Sequence, residues 1–85
     1  MMETSYHAYE IRGSKKDVKT IRKVVRKKLK HKRSIGSFEK VGDEYRFVWI
    51  EDKHIYCNGY KQVETTTYGE ALIRWGYPGV KEIEA

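Results

Sequence analysis

Apolar residues recur along this chain in two different periods. The run Tyr6-His7-Ala8-Tyr9-Glu10-Ile11 reads as a strand, ended by Gly13. Val18, Ile21, Val24, Val25 and Leu29 then return with helical spacing. Ser14 stands where a cap belongs, and Asp17 follows at the capping-box distance. The pattern predicts a helix over about 15–32, broken by Ser34-Ile35-Gly36-Ser37.

The second half reads as antiparallel sheet. Phe38 to Val41 is a short strand, Gly42-Asp43 a turn, and Tyr45 to Ile50 the strongest strand signal. A turn at Glu51-Asp52-Lys53 leads to a strand over His54-Ile55-Tyr56-Cys57. Asn58-Gly59 is the preferred pair for a two-residue type I′ hairpin, with Tyr60 to Thr66 returning. Thr67 and Glu70 repeat the capping-box spacing before a short helix carrying Tyr68, Ala71, Leu72 and Trp75 on one face. Gly76 and Pro78 stop it, and Val80-Lys81-Glu82-Ile83 reads as a final edge strand. The expected fold is a single α+β domain over residues 1–85, an antiparallel sheet packed by one long basic amphipathic helix and a short C-terminal helix. Its order is β-α-β-β-β-β-α-(β). With the strands around Asn58-Gly59 as an excursion, the remainder is compatible with a split βαβ, ferredoxin-like sandwich.

Charge changes this picture most. Between Arg12 and Arg33 lie twelve of the eighteen Lys and Arg residues and one acid, Asp17, a window of +11. The residues before it sum to −2 and those after it to −3, so the net +6 is one basic element on a mildly acidic body. Projected at about 100° per residue, the apolar positions of the helix occupy an arc of roughly 140°. Arg22, Lys15, Arg26, Lys19, Lys30, Lys23, Lys16 and Lys27 fill the opposite arc, while Lys28 falls within the apolar one and is expected to snorkel along its edge. Like charges four residues apart destabilise a helix by about 0.2–0.5 kcal/mol per pair. A helix shaped only for solubility would interleave Glu with Lys. So pure a ridge is expected to meet phosphates.

The expected partner is therefore nucleic acid, DNA or RNA, bound largely without regard to sequence through Lys15, Lys16, Lys19, Arg22, Lys23, Arg26, Lys27, Lys30, Lys32 and Arg33. The exposed arc offers no Asn or Gln for reading bases. Ser34, Ser37 and the Gly36 backbone can add phosphate hydrogen bonds. Alternation places Tyr45, Phe47 and Trp49 on one strand face, as a core layer or, if exposed, as a base-stacking row. An alternative partner is an acidic protein surface, with Trp49, Trp75 or Arg26 as anchors. The open edge of so small a sheet also permits a homodimer.

Composition narrows the rest. A chain of 85 residues buries only about 60–65% of its unfolded surface, so the core is small. A single cysteine, Cys57, precludes an intramolecular disulfide and suits a reducing, cytoplasmic setting. Neither a signal peptide nor a membrane span is expected. No phosphate-binding glycine motif occurs, and no cofactor is expected. His54 and Cys57 lack companions for a metal site, and their spacing puts them on opposite strand faces.

One catalytic reading rests on a resemblance. Tyr45-Arg46-Phe47-Val48-Trp49 followed by Ile55-Tyr56-Cys57-Asn58-Gly59-Tyr60-Lys61-Gln62 resembles the central hairpin of RelE/HigB-type mRNA-cleaving toxins, over less than a third of the chain. The resemblance implies a small ribonuclease that holds phosphate electrostatically and transfers a proton through one side chain. It makes His54, Lys61, Arg46 and Tyr60 the residues to test. The chain departs from that family in carrying one helix before the sheet where two are usual, and in lacking a distinctive C-terminal catalytic cluster.

Overall fold

The computed structural model describes residues 2–29 and 35–84. The elements are β1 (Met2–Gly13), α1 (Lys15–Lys28), β2 (Ile35–Val41), β3 (Glu44–Asn58), β4 (Lys61–Glu64), α2 (Tyr68–Arg74) and β5 (Val80–Ile83). The spine is the antiparallel pair β1–β3, in register from Met2 opposite Tyr56 to Gly13 opposite Tyr45. The other edge of β3 is shared: β2 takes its first half and β4 its last four residues. β5 closes the far side against Ala8–Ile11 of β1. The order β2-β3-β1-β5, antiparallel throughout, is that of a split βαβ sandwich, and β4 is the excursion.

The α+β class, the antiparallel sheet and the two helices match the sequence expectation, with one strand fewer. Glu51-Asp52-Lys53 is no turn but the middle of β3. The triplet stays extended because its inward-facing charges have partners. Glu51 accepts from the start of α2, and Lys53 pairs with Glu70 and Glu64. The next hairpin is displaced by one residue: Asn58 pairs with Lys61, leaving Gly59-Tyr60 as the turn. Gly59 has φ +66° and among the described residues no non-glycine has a positive φ, the pattern of a type II′ turn rather than I′. Past the helices burial falls away along this ribbon, and the molecule measures 50 × 26 × 22 Å.

α1 is shorter than the expected 15–32. Ser14 Oγ accepts from Asp17 N at 3.2 Å, but Leu29 is already extended at φ −89°, ψ 122°. Residues 30–32 of the expected span lie outside the described residues. Val18, Ile21 and Val25 pack on Tyr9, Ile11, Phe47 and Trp49, all at 3% exposure or less. The aromatic face of β3 therefore meets the helix.

α2 completes this core with Leu72. Thr67 Oγ1 accepts from Glu70 N at the start. At its end Gly76 N donates to Ile73 O and Tyr77 N to Leu72 O, a Schellman closure. Gly69 sits directly on the ring of Tyr9, whose hydroxyl bonds Thr67 Oγ1 at 2.6 Å. A Cβ at Gly69 would clash with Cγ and both Cδ atoms of that ring. Gly69→Ala gains helix propensity yet is expected to lower stability by about 3 kcal/mol through overpacking, read as the midpoint of a urea melt. An unchanged midpoint would contradict this packing.

The opposite sheet face carries no helix. There Glu10, 4% exposed, is bound by Arg46 and Lys81, and Arg46 also reaches Glu39. Burial opposes ionisation of Glu10, but the hydrogen bonds from Arg46 and Lys81 outweigh it and hold the carboxyl below its ordinary 4.5. Glu70 is likewise held below 4.5, chiefly by its hydrogen bond to Lys53. Unfolded, both carboxyls take up protons first. Their stabilisation is complete above about pH 4.5 and is lost as pH falls through the lower folded values. Melting temperature should thus be flat from pH 7 to 5 and drop below 4.5, with a shallower drop in Glu10→Gln.

Candidate nucleic-acid interface

The site is built on α1. Its 14 residues span about 20 Å and carry eight cations: Lys15, Lys16, Lys19, Arg22, Lys23, Arg26, Lys27 and Lys28. All are exposed except Arg22, which is half-buried. Lys30, Lys32, Arg33 and Ser34 lie outside the described residues. Gly36 and Ser37, at the irregular start of β2, are exposed.

Ion pairing separates this helix from the body. Among the described residues Arg12, Arg46, Lys53 and Lys81 each pair with a carboxylate, whereas no α1 cation does. Glu10, Glu39, Glu44 and Glu64 of the sheet are engaged by cations of the sheet. The field of α1 is left uncompensated at close range, apart from Asp17 at its N-terminus.

Several of these cations lean on aromatic rings. Arg22 lies 5.1 Å from the centroid of Phe38, Lys15 5.7 Å from Tyr45, and Lys28 5.2 Å from Tyr68. The last is the snorkelling expected of Lys28. Arg22 Nε is buried without a hydrogen-bond partner. A shallow open depression along the helix is lined by Lys19, Arg22, Lys23, Arg26 and Lys27. One flank of α1 is thus a continuous cationic surface whose Arg22 is fixed in place by the ring beneath it.

The stacking row requires correction. Phe47 and Trp49 are fully buried beneath α1 and offer no face to a base. Tyr45 is half-buried, stacked on Phe38 with Lys15 above it. The rings lie on this side because Val18, Ile21 and Val25 need large partners. Val48 and Ile50 stay half-buried on the helix-free face. Trp75, expected in the packed stripe of the short helix, is instead 76% exposed. It is the C-cap of α2, one step past the turn that Leu72 anchors.

The residues suggested by the toxin resemblance do not converge. Arg46 is engaged by Glu10 and Glu39 on the helix-free face, while Tyr60 and Lys61 are at the exposed hairpin tip. Twelve residues of β3 separate Arg46 from Asn58, the partner of Lys61, or about 40 Å. His54 bonds Thr4 Oγ1 between them. Tyr45–Trp49 and Ile55–Asn58 are one strand, so the two segments do not form a hairpin with each other. Glu51 and Asp52 are strand rather than turn residues. Cys57 is exposed, and among the described residues no three His, Cys, Asp or Glu side chains cluster as a metal site. No described helix is long and apolar enough to cross a membrane. No family model matches the chain, and no curated protein or solved structure matches it.

Proposed function

We propose that this protein is a small, non-catalytic nucleic-acid-binding module that holds the phosphate backbone of DNA or RNA on α1, largely independently of sequence. The observation that carries this reading is the set of eight α1 cations that, among the described residues, have no carboxylate partner, on a body in which Arg12, Arg46, Lys53 and Lys81 are each ion-paired. Phosphates would supply the missing counter-charge, and releasing condensed counterions would drive association. Lys predominates and no exposed Asn or Gln accompanies it on the helix, which fits backbone contact better than base readout. An acidic protein surface is the weaker reading. Tight protein interfaces centre on buried aromatic or Arg anchors, and the exposed ridge consists mainly of lysine.

The test is fluorescence anisotropy with labelled single- and double-stranded DNA and RNA across a salt series. Micromolar or tighter binding near 50 mM salt, with a log–log slope of several units, is the expected result. Absence of binding to all four polymers at low salt would refute the reading.

A further inference from the structure

Beside the C-terminal end of α1 the surface opens into a second depression, of about 340 Å³, between α1 and α2. Lys28 and Leu29 line one side, Tyr68, Ala71 and Trp75 the other, and Glu51 and Thr67 contribute at its base. We propose that this depression is a subsite for one unpaired nucleobase, stacked on Trp75, of a strand whose phosphates lie on the α1 ridge. The proposal rests on the nucleic-acid reading above and adds to it a preference for single-stranded segments.

Three observations carry it. The indole is 76% exposed and stands at the end of a helix, where a packing role would have turned it inward as Leu72 is turned. A cation shares the depression with it: Lys28 lines the opposite wall, its ammonium 5.2 Å from the centroid of Tyr68. An exposed ring beside a positive charge suits a ligand with a π-face and an anionic backbone. Glu51 is among the lining residues, and its negative charge disfavours a phosphate in the depression itself. A neutral base can enter, and its phosphates remain outside beside Lys27 and Lys28. The volume lies at the small end of ligand pockets, fitting one flat ring system.

The chain has two tryptophans, and Trp49 is fully buried, so a change in exposed indole emission reports Trp75. The full chain is titrated with oligo-dT, oligo-U and a DNA duplex, following tryptophan emission and anisotropy together. Expected is quenching by the single strands and not by the duplex, with the dT and U arms showing whether the DNA or the RNA strand is preferred. Trp75→Ala is expected to weaken single-strand binding about tenfold and leave duplex affinity and the salt slope unchanged. Trp75→Tyr, keeping a ring, is expected to retain most of the affinity. Single-strand binding by Trp75→Ala at the parental level overturns the subsite while leaving the backbone reading intact. An equal loss for duplex and single strand also overturns it, since Trp75 would then support the ridge rather than a base. If the parent chain binds no polymer, the backbone reading fails first and the subsite with it.

Discussion

With Lys19, Lys23, Arg26 and Lys27 changed together to glutamine, affinity for nucleic acid should fall at least about a hundredfold near 50 mM salt, and the protein should melt at a higher temperature. The two effects share one cause. Each phosphate contact contributes about 0.9 to the log–log salt slope on duplex DNA, so losing four removes between about 3 and 4 units of slope. The same change deletes the like-charge pairs Lys15–Lys19, Lys19–Lys23, Lys23–Lys27 and Arg22–Arg26, all four residues apart on α1. At about 0.2–0.5 kcal/mol each, their removal stabilises the helix by roughly 1–2 kcal/mol. In a domain of this size that is a rise of about 4–8 °C per kcal/mol. These side chains are exposed and make no ion pairs among the described residues, so nothing in the packing opposes the gain. Salt-dependent anisotropy and a circular-dichroism melt on one preparation check both halves. Weaker binding with a lower melting temperature would point to a damaged fold. Unchanged binding would remove α1 as the interface. Both effects together would mark a helix whose charge is kept for a polyanion at the expense of its stability.

How much of this was legible in the sequence depends on how local each cause is. The α1 stripe, its Ser14 cap and the cap of α2 at Thr67 follow from spacings of three and four residues, and the structure has them. The cationic ridge is likewise a local projection. The length of β3 was hidden because Glu51-Asp52-Lys53 has turn composition. What keeps it extended, the first amides of α2 and the carboxylates of Glu64 and Glu70, lies more than ten residues away in sequence. The side of the sheet that α1 covers was undecided for a related reason. Tyr45, Phe47 and Trp49 alternate with Val48 and Ile50, so both faces of β3 are apolar enough to be core, and only the packed helix chooses. Trp75 was placed in a stripe by period alone. The period carries no information on whether the last residue of a helix still has anything to pack against.

Glu51 carries the largest expected effect on stability. The residue is 7% exposed, and its carboxylate ends three hydrogen bonds: from Tyr68 N at 2.8 Å to Oε1, and from Gly69 N at 2.7 Å and Trp49 Nε1 at 3.1 Å to Oε2. Two of the donors are the first amides of α2, which have no partner within the helix. The charge also sits at the positive end of the α2 dipole. One side chain thus ties the core indole of β3 to the start of α2. Glu51→Ala strips all three donors at once where water has little access, and a buried donor left bare costs about 1–3 kcal/mol. The expected loss is about 3–5 kcal/mol, set against a total of about 5–10 kcal/mol for so small a domain. The variant should melt at least about 12 °C below the parent, read as the loss of near-ultraviolet tryptophan signal on heating. Glu51→Gln keeps the shape but turns one acceptor into an amide that faces a donor, and removes the charge from the helix end. It should lie between the parent and Glu51→Ala, nearer the latter. A melt of Glu51→Ala within about 5 °C of the parent would show that α2 is held by Leu72 and its Schellman closure alone, and that the continuity of β3 through Glu51-Asp52-Lys53 has another cause.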